Sequence, residues 1–512
     1  MNSSSSKARV HLALVLAAVL VPLAAACEDD SGSLAGGPAD GAAFDAGHGD
    51  GGGLPNETGP TDGAAPDADA PDSDVPDGSA PDADAGDARD DAGTPPPGWT
   101  ATADVVAGQQ ATRTTMLTTR DGRALLAFRE GGAVQTMRVV RWHGADTGVW
   151  TNLGTPNAGV PGSLETPGDP QERFVGLAFA GAQRVVAAFR QNGAVYANVH
   201  DGAAWGAPFV LSSAPSAVAV AGDGTGRALV AYRTENGQVG ARVYSAATQT
   251  WGSETIISLQ DRVVDTANSF WVEAKMNAGG DALVVFRGHL DVPTTTRDIY
   301  TARYAAATGA WTLEDTGYLN GSLEPERLCL ALNDAGAAVV SLREGFTNQF
   351  GTFTRTRAAY RAAVATTWAS WQTLDGPTFH DGCALSADGT AIVTSLVGVG
   401  AGDEITPHRY ANGVWSTGTP IATKSVASGS RFVLAMASDG RAAGGYLQTD
   451  NELRFHRFTP ATGWVASDTW TRVNSVGTSL DQFFKGGMLL DDGRYLWVYQ
   501  DLDGALRYAV HR

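Results

Sequence analysis

A short segment that returns eight times along the chain restricts its fold more than any other feature. It is plainest as Gly122-Arg-Ala-Leu-Leu-Ala-Phe-Arg129, and recurs as Gly226-Arg-Ala-Leu-Val-Ala-Tyr-Arg233, Gly280-Asp-Ala-Leu-Val-Val-Phe-Arg287 and Gly336-Ala-Ala-Val-Val-Ser-Leu-Arg343. Looser copies occupy 183–190, 389–396, 440–447 and 493–500, so that successive copies start 43 to 61 residues apart. A continuous apolar run of this length, bounded by turn residues, predicts a strand covered on both faces. The leading Gly, often preceded by Asp, suits the tight turn that opens such a strand.

Each copy keeps the same neighbours. A second apolar run precedes it, as at 173–180, 216–221, 327–333 and 431–438. A segment ending in an aromatic residue or His follows it: Trp142, His200, Tyr244, Tyr304, Tyr360, Tyr410, Phe458 and His511. A short loop then leads to a Trp, at 150, 205, 251, 311, 368, 415 and 464. Four strands per unit of about 50 residues, with no helical period between them, is the layout of a propeller blade. The expected fold is therefore all-β, an eight-bladed β-propeller over 99–512, with seven blades as the alternative if one weak copy is decorative. The eighth copy stops at Arg512 without its Trp strand, while the domain opens on Trp99 and an apolar segment to Val106. The N-terminal strand is expected to complete the last blade and close the ring, which removes its open edges.

The repeats resemble those of secreted bacterial β-propellers in which Asp-x-Gly-x-Ala precedes an apolar strand and Gly-Trp closes the unit. That resemblance is one of architecture and implies no single activity. A fainter similarity is to fucose-binding propeller lectins, whose blades offer Arg, Glu and Trp to a sugar; Arg recurs here, but a Glu at a fixed repeat position does not. Sialidase propellers carry their Asp-box turn between the third and fourth strands, whereas the Asp-Gly turn here lies between the first and second.

Charge separates the chain into three parts. Lys7 and Arg9 precede an apolar run from His11 to Ala26, which is too short to span a bilayer core of about 30 Å and suits a signal peptide over 1–26. The run ends Leu23-Ala24-Ala25-Ala26-Cys27. This resembles the lipobox of bacterial lipoproteins, with Ala24 where the family usually has Leu, and implies lipidation at Cys27. The alternative is cleavage after Ala26 to release a soluble protein. Residues 27–98 form a linker poor in large apolar side chains, with 16 Asp and 2 Glu against Arg89. Such a composition cannot repay the entropy of folding and is expected to stay disordered, as a spacer rather than a calcium site. An exported protein lipid-anchored in the cell envelope follows, on the periplasmic or cell-surface side of its membrane. The folded part carries a charge near −4, with no basic stripe, which argues against nucleic acid as a partner.

Candidate site residues are few. Arg129, Arg190, Arg233, Arg287 and Arg343 share one register in five consecutive copies, and Leu396, Leu447 and Gln500 replace them in the last three. An arc of guanidinium groups at one end of the ring would hold carboxylate or phosphate through bidentate bonds. The competing reading is that each Arg packs its stem against a neighbouring blade and pairs with a local carboxylate or carbonyl. The recurring Trp residues read as blade packing. Cys329 and Cys383 fall in the innermost strands of adjacent blades, so a disulfide is permitted in an oxidising compartment, against two buried thiols. No nucleophile elbow, zinc motif or P-loop occurs, and no catalytic residue, metal or cofactor is assigned. The reading is a monomeric, non-catalytic propeller that binds a glycan or a protein. The alternative is a glycoside hydrolase or lyase whose acids come from distant blades.

Overall fold

The structure is a computed structural model. The described residues run from 100 to 511 apart from several connecting segments, the longest being 166–174 and 471–483. The signal region, Cys27, the acidic linker and Trp99 lie outside them.

All regular elements among the described residues are strands, and they form eight separate antiparallel sheets. Blade 1 spans 111–154, blade 2 spans 175–212, blade 3 spans 218–256 and blade 4 spans 262–318. Blades 5, 6 and 7 span 325–375, 378–426 and 433–470. Blade 8 takes Phe484–Leu489, Tyr495–Gln500 and Leu506–His511, and its fourth strand is Ala103–Asp104 from the other end of the chain. The first strand of each blade lies beside the first strand of the next, and that of blade 8 lies beside that of blade 1. The fold is an eight-bladed β-propeller, closed as the repeat arithmetic required. Ala103 pairs with Tyr508, and bonds from Thr100 N to Val510 O (2.9 Å) and from Val105 N to Leu506 O (2.8 Å) extend the closure.

Alternation along the second strands shows why their sequence is continuously apolar. In blade 1, Leu125 and Ala127 pack with Leu177, Phe179 and Ala187 of blade 2. The intervening Leu126 and Phe128 pack with Leu496, Val498 and Val510 of blade 8. Both faces of the strand are therefore core, and polar residues have no solvent side to occupy. The same division holds around the ring, with a cluster of buried side chains in each described seam between blades.

The outer Trp residues pair across strands with the aromatic that ends the third strand. The registers are Trp142 with Trp150, Tyr244 with Trp251, Tyr304 with Trp311, Tyr410 with Trp415 and Phe458 with Trp464. Blade 5 departs from this pattern. Its Trp368 precedes the fourth strand and donates from Nε1 to Thr301 Oγ1 of blade 4 at 3.0 Å. Trp371 instead enters the seam, 5.0 Å from the Tyr318 ring, with its Nε1 bonded to Thr316 O. Glycine at Gly445 has a packing reason: a Cβ there would lie 2.1 Å from the Trp497 ring of blade 8.

His456, on the third strand of blade 7, is buried and stacked on Tyr446 at 5.7 Å. Burial, with Arg454 close by, pulls it down from 6.5 to about 4. The fold holds the neutral ring, so this contribution is complete above pH 6.5 and is lost as pH falls toward 4. We expect folding stability to fall by up to about 3 kcal/mol over that window. A His456→Gln variant should show a shallower pH dependence in urea unfolding; an unchanged slope would refute the assignment.

Candidate ligand face

The two ends of the ring differ in what their turns do. At one end lie the turns between first and second strands, each built around a Gly with φ between +84° and +88° in blades 4 to 8. Several of these turns are bonded to the turn of the next blade. Arg123 of blade 1 donates to Ala182 O of blade 2, and its guanidinium lies 4.8 Å over the Phe179 ring. Ala278 N of blade 4 donates to Asp334 Oδ1 of blade 5 at 2.8 Å. Asn333 Nδ2 donates to Ser386 O of blade 6 at 2.9 Å, and Ala387 N to Ser438 O of blade 7 at 2.9 Å. The Asp-Gly turn signal thus marks a belt that locks blade to blade. The Asp side chains hold its turns in shape. Asp223 Oδ1 accepts from three backbone N–H groups, and Asp388 is held below the usual carboxylate range by Ser386 and the Thr390 N–H.

The opposite end carries the hairpins between second and third strands, and here the five Arg residues stand. Each lies on the face of its strand that also carries the apolar residues packed against the following blade. Arg129 continues the row of Leu125 and Ala127, Arg233 that of Leu229 and Ala231, and Arg287 that of Leu283 and Val285. Five consecutive seams therefore end in an Arg. In the seam between blades 6 and 7 the register residue is Leu396, buried with Phe432 and Tyr446. The side chains of Leu447 and Gln500 lie outside the described residues.

The five are not equivalent. Arg287 is 2% exposed, whereas Arg129, Arg190, Arg233 and Arg343 are half-buried. The Nε of every one is out of contact with solvent, so the stem and inner edge of each guanidinium belong to the seam. Arg190 forms an ion pair with Glu165 at 2.5 Å. Neighbouring carboxylates at this end are engaged as well. Arg138 makes a bidentate pair with Glu130 (2.9 and 2.8 Å). Glu344, buried, accepts from Tyr318 Oη at 3.0 Å and from Arg355 and Arg357. Burial and the Glu344 charge push the Tyr318 phenol well above its ordinary value, so it stays a donor.

A feature that the repeat pattern did not reveal is the loop over 155–165, which lies across this end of blades 1 and 2. Asn157 Nδ2 donates to Gln191 Oε1 at 2.7 Å, and Gln191 Nε2 faces three loop carbonyls, Val160 (2.9 Å), Pro161 (3.2 Å) and Gly162 (2.8 Å). Gln191 directly follows Arg190 and precedes an Asn192-Gly193 turn with both φ values positive. The loop delivers Glu165 to Arg190, and Glu165 also accepts from Gly193 N. The only sequence signal for this arrangement is a polar Gln at the end of an apolar strand.

Cys329 and Cys383 are joined in a disulfide with Cα atoms 5.9 Å apart, linking the innermost strands of blades 5 and 6. Of the scattered polar residues, Glu326 lies opposite Arg343 and Glu404 opposite Val397, at the same end as the Arg register, while another polar pair lies in the interior. Ser395 Oγ and His408 Nε2 are 2.9 Å apart, but both residues are fully buried and the other ring nitrogen meets Thr417 Oγ1, so the pair is interior hydrogen bonding. Among the described residues no group of His, Cys, Asp and Glu is arranged to hold a metal ion.

No protein-family model and no curated protein matches the chain. Among solved structures it is similar to the BP39L lectin from Burkholderia pseudomallei, at 12% identity and a TM-score of 0.43 over 70% of this chain and 99% of that one. It is also similar to an ulvan lyase of polysaccharide lyase family PL25, at 11% identity and 0.41 over 78% and 93%. The propeller of Dos1 matches at 11% identity and 0.44 over 79% and 96%. These likenesses concern the fold.

Replacing Gln191 by Leu would strand Asn157 Nδ2 and three loop carbonyls without their partner. We expect a loss of about 1–3 kcal/mol in denaturant unfolding, with faster proteolysis inside 155–165. Unaltered proteolysis would show that the loop is held by other contacts.

Proposed function

We propose that residues 99–512 form a non-catalytic binding propeller, and that the end carrying Arg129, Arg190, Arg233, Arg287 and Arg343 is its ligand face. One observation carries the reading: five successive seams end in Arg at the same end of the ring, while at the opposite end turns of neighbouring blades bond one another. An arc of cations whose stems are fixed in the seams, with Arg287 covered and the other four half-buried, suits a ligand with repeated carboxylate or sulfate groups, a glycan chain or an acidic protein segment. Engagement of Glu130, Glu165 and Glu344 by Arg favours binding over acid–base chemistry, which needs a pair of carboxyls facing one cleft.

A glycan array probed with 99–512, beside a triple variant Arg129→Ala, Arg190→Ala and Arg233→Ala, tests this reading. Binding to acidic sugars that the folded variant loses supports it. Retained binding returns the Arg residues to seam packing, and depolymerisation of an acidic polysaccharide would establish a lyase or hydrolase instead.

We further propose that Cys27 carries a lipid and that the acidic linker holds the propeller away from the membrane. The Leu23-Ala24-Ala25-Ala26-Cys27 sequence supports this. Cys27→Ser should move the protein from the membrane fraction to the soluble fraction and abolish fatty-acid labelling. Labelling that persists would rule out this anchor.

A further inference from the structure

Positive charge gathers at the belt end of the seam between blades 1 and 2. Arg141, on the third strand of blade 1, continues the row of Met137 and Val139 that packs on blade 2. Its Nη1 meets Gln183 O at 3.4 Å, one residue along from the Ala182 carbonyl that Arg123 holds. Two guanidinium groups thus converge on one turn of blade 2. His143 Nε2 lies 2.7 Å from Oγ1 of Thr151, the residue paired with Arg141 across the sheet. His200 joins from blade 2, buried and opposite Val185, with Nδ1 accepting from Gly202 N at 3.1 Å.

Arg141 is the unusual member of this group. It is 6% exposed, its Nε is enclosed without a hydrogen bond, and its bond to Gln183 is long. Among the described residues it forms no ion pair. Asp201, next to His200, is engaged by the N–H groups of Ala203 and Ala204 at 2.8 and 2.9 Å. Arg303, Arg409 and Arg457 occupy the same register in blades 4, 6 and 7, and each is less buried. Arg303 has Glu314 at 3.1 Å, and Arg409 interacts with the charge of Asp388. Beside Arg141 stand groups of its own sign. Burial lowers the proton affinity of Arg123, His143 and His200, and the Arg141 charge lowers each further, opposed by Asp201 at His200. A second donor of the seam, Trp205 Nε1, is also enclosed without a bond, its ring 5.2 Å from that of His200.

We propose that this end of the seam is an oxyanion site, with Arg141 at its floor and Arg123 and His143 at its rim, that binds a phosphate or sulfate group. A guanidinium taken out of water without a counter-charge is costly, and a bound anion supplies that charge. A tetrahedral oxyanion accepts from two guanidinium groups at once and cancels the repulsion between them. The group is either a free ion or the end of an ester. The site lies at the opposite end of the ring from the five-Arg arc, so it stands whether or not that arc binds a glycan.

Calorimetric titration of the full chain with inorganic phosphate, at constant ionic strength in chloride, tests the site. The parent chain should show a phosphate-binding component that Arg141→Met weakens about tenfold or more, the effect of removing a charged hydrogen-bond partner. Anions held at the five-Arg arc would give a component that this substitution leaves unaltered. Arg141→Lys keeps the charge without the planar fork and should bind phosphate more weakly than the parent. It decides the matter if the Met chain does not fold. Methyl phosphate separates the two sources: binding like the inorganic ion shows that an ester fits, and binding of the inorganic ion alone shows a site closed over a free ion. No phosphate binding by the parent would overturn the proposal, as would parental affinity in the folded Arg141 variants.

Discussion

The structure depends on a single constraint: a blade has no solvent face, so each sheet is stable only between two others. Leu125 and Leu126 are adjacent in sequence, yet they belong to the cores of different seams. Continuous apolar strands, a repeat of fixed length and closure of the ring all follow from that constraint. A row of such sheets would leave one apolar face open at each end. The ring removes both, and the Ala103–Asp104 strand fills the one position that the last repeat lacks. Polar side chains left inside the seams bond one another, as Ser395 and His408 do, and others gather at the two rims, where backbone groups also need partners.

The rims divide the labour. One carries bonds between turns, with Arg123, Asn333 and Asp334 each spanning to the adjoining blade. The other retains charged side chains whose stems complete the seams and whose outer edges vary in exposure from Arg343 to the covered Arg287. A residue repeated in register is under the common packing demand of every blade, and the break at Leu396 shows how that demand is met without charge. There Phe432 and Tyr446 supply the filling and Leu396 joins them in an apolar cluster. The Arg register therefore combines a packing role for the stem with a charged outer edge.

Much of the architecture was legible because it rests on local, repeated signals. The apolar eight-residue runs located the second strands, the Gly positions their turns, and the missing eighth Trp the closure. What escaped the sequence depends on contacts between distant residues. Nothing in Trp368 and Trp371 says which will enter the seam; that follows from the place of Tyr318 in the preceding blade. The demand for a bare Gly445 becomes visible only once Trp497 approaches it. The Cys pair could be assigned to adjacent strands, but the distance between them is a property of the ring. The bonds that Gln191 makes with the 155–165 loop join residues far apart in sequence and leave no mark on the repeat, so periodicity was blind to them.

The closing strand also imposes an order of assembly. Thr100 and Val510 are hydrogen-bonded partners separated by 410 positions in the chain. A polypeptide synthesised N-terminus first presents the closing strand at the outset and its partner last. Until then, blade 1 displays Leu126 and Phe128 to solvent with nothing from blade 8 to cover them. Contacts this remote in sequence form slowly, because the loop entropy is lost before the contact rewards it. The unfinished ring is thus the state most exposed to aggregation, and its hazard ends only when the two ends of the chain meet.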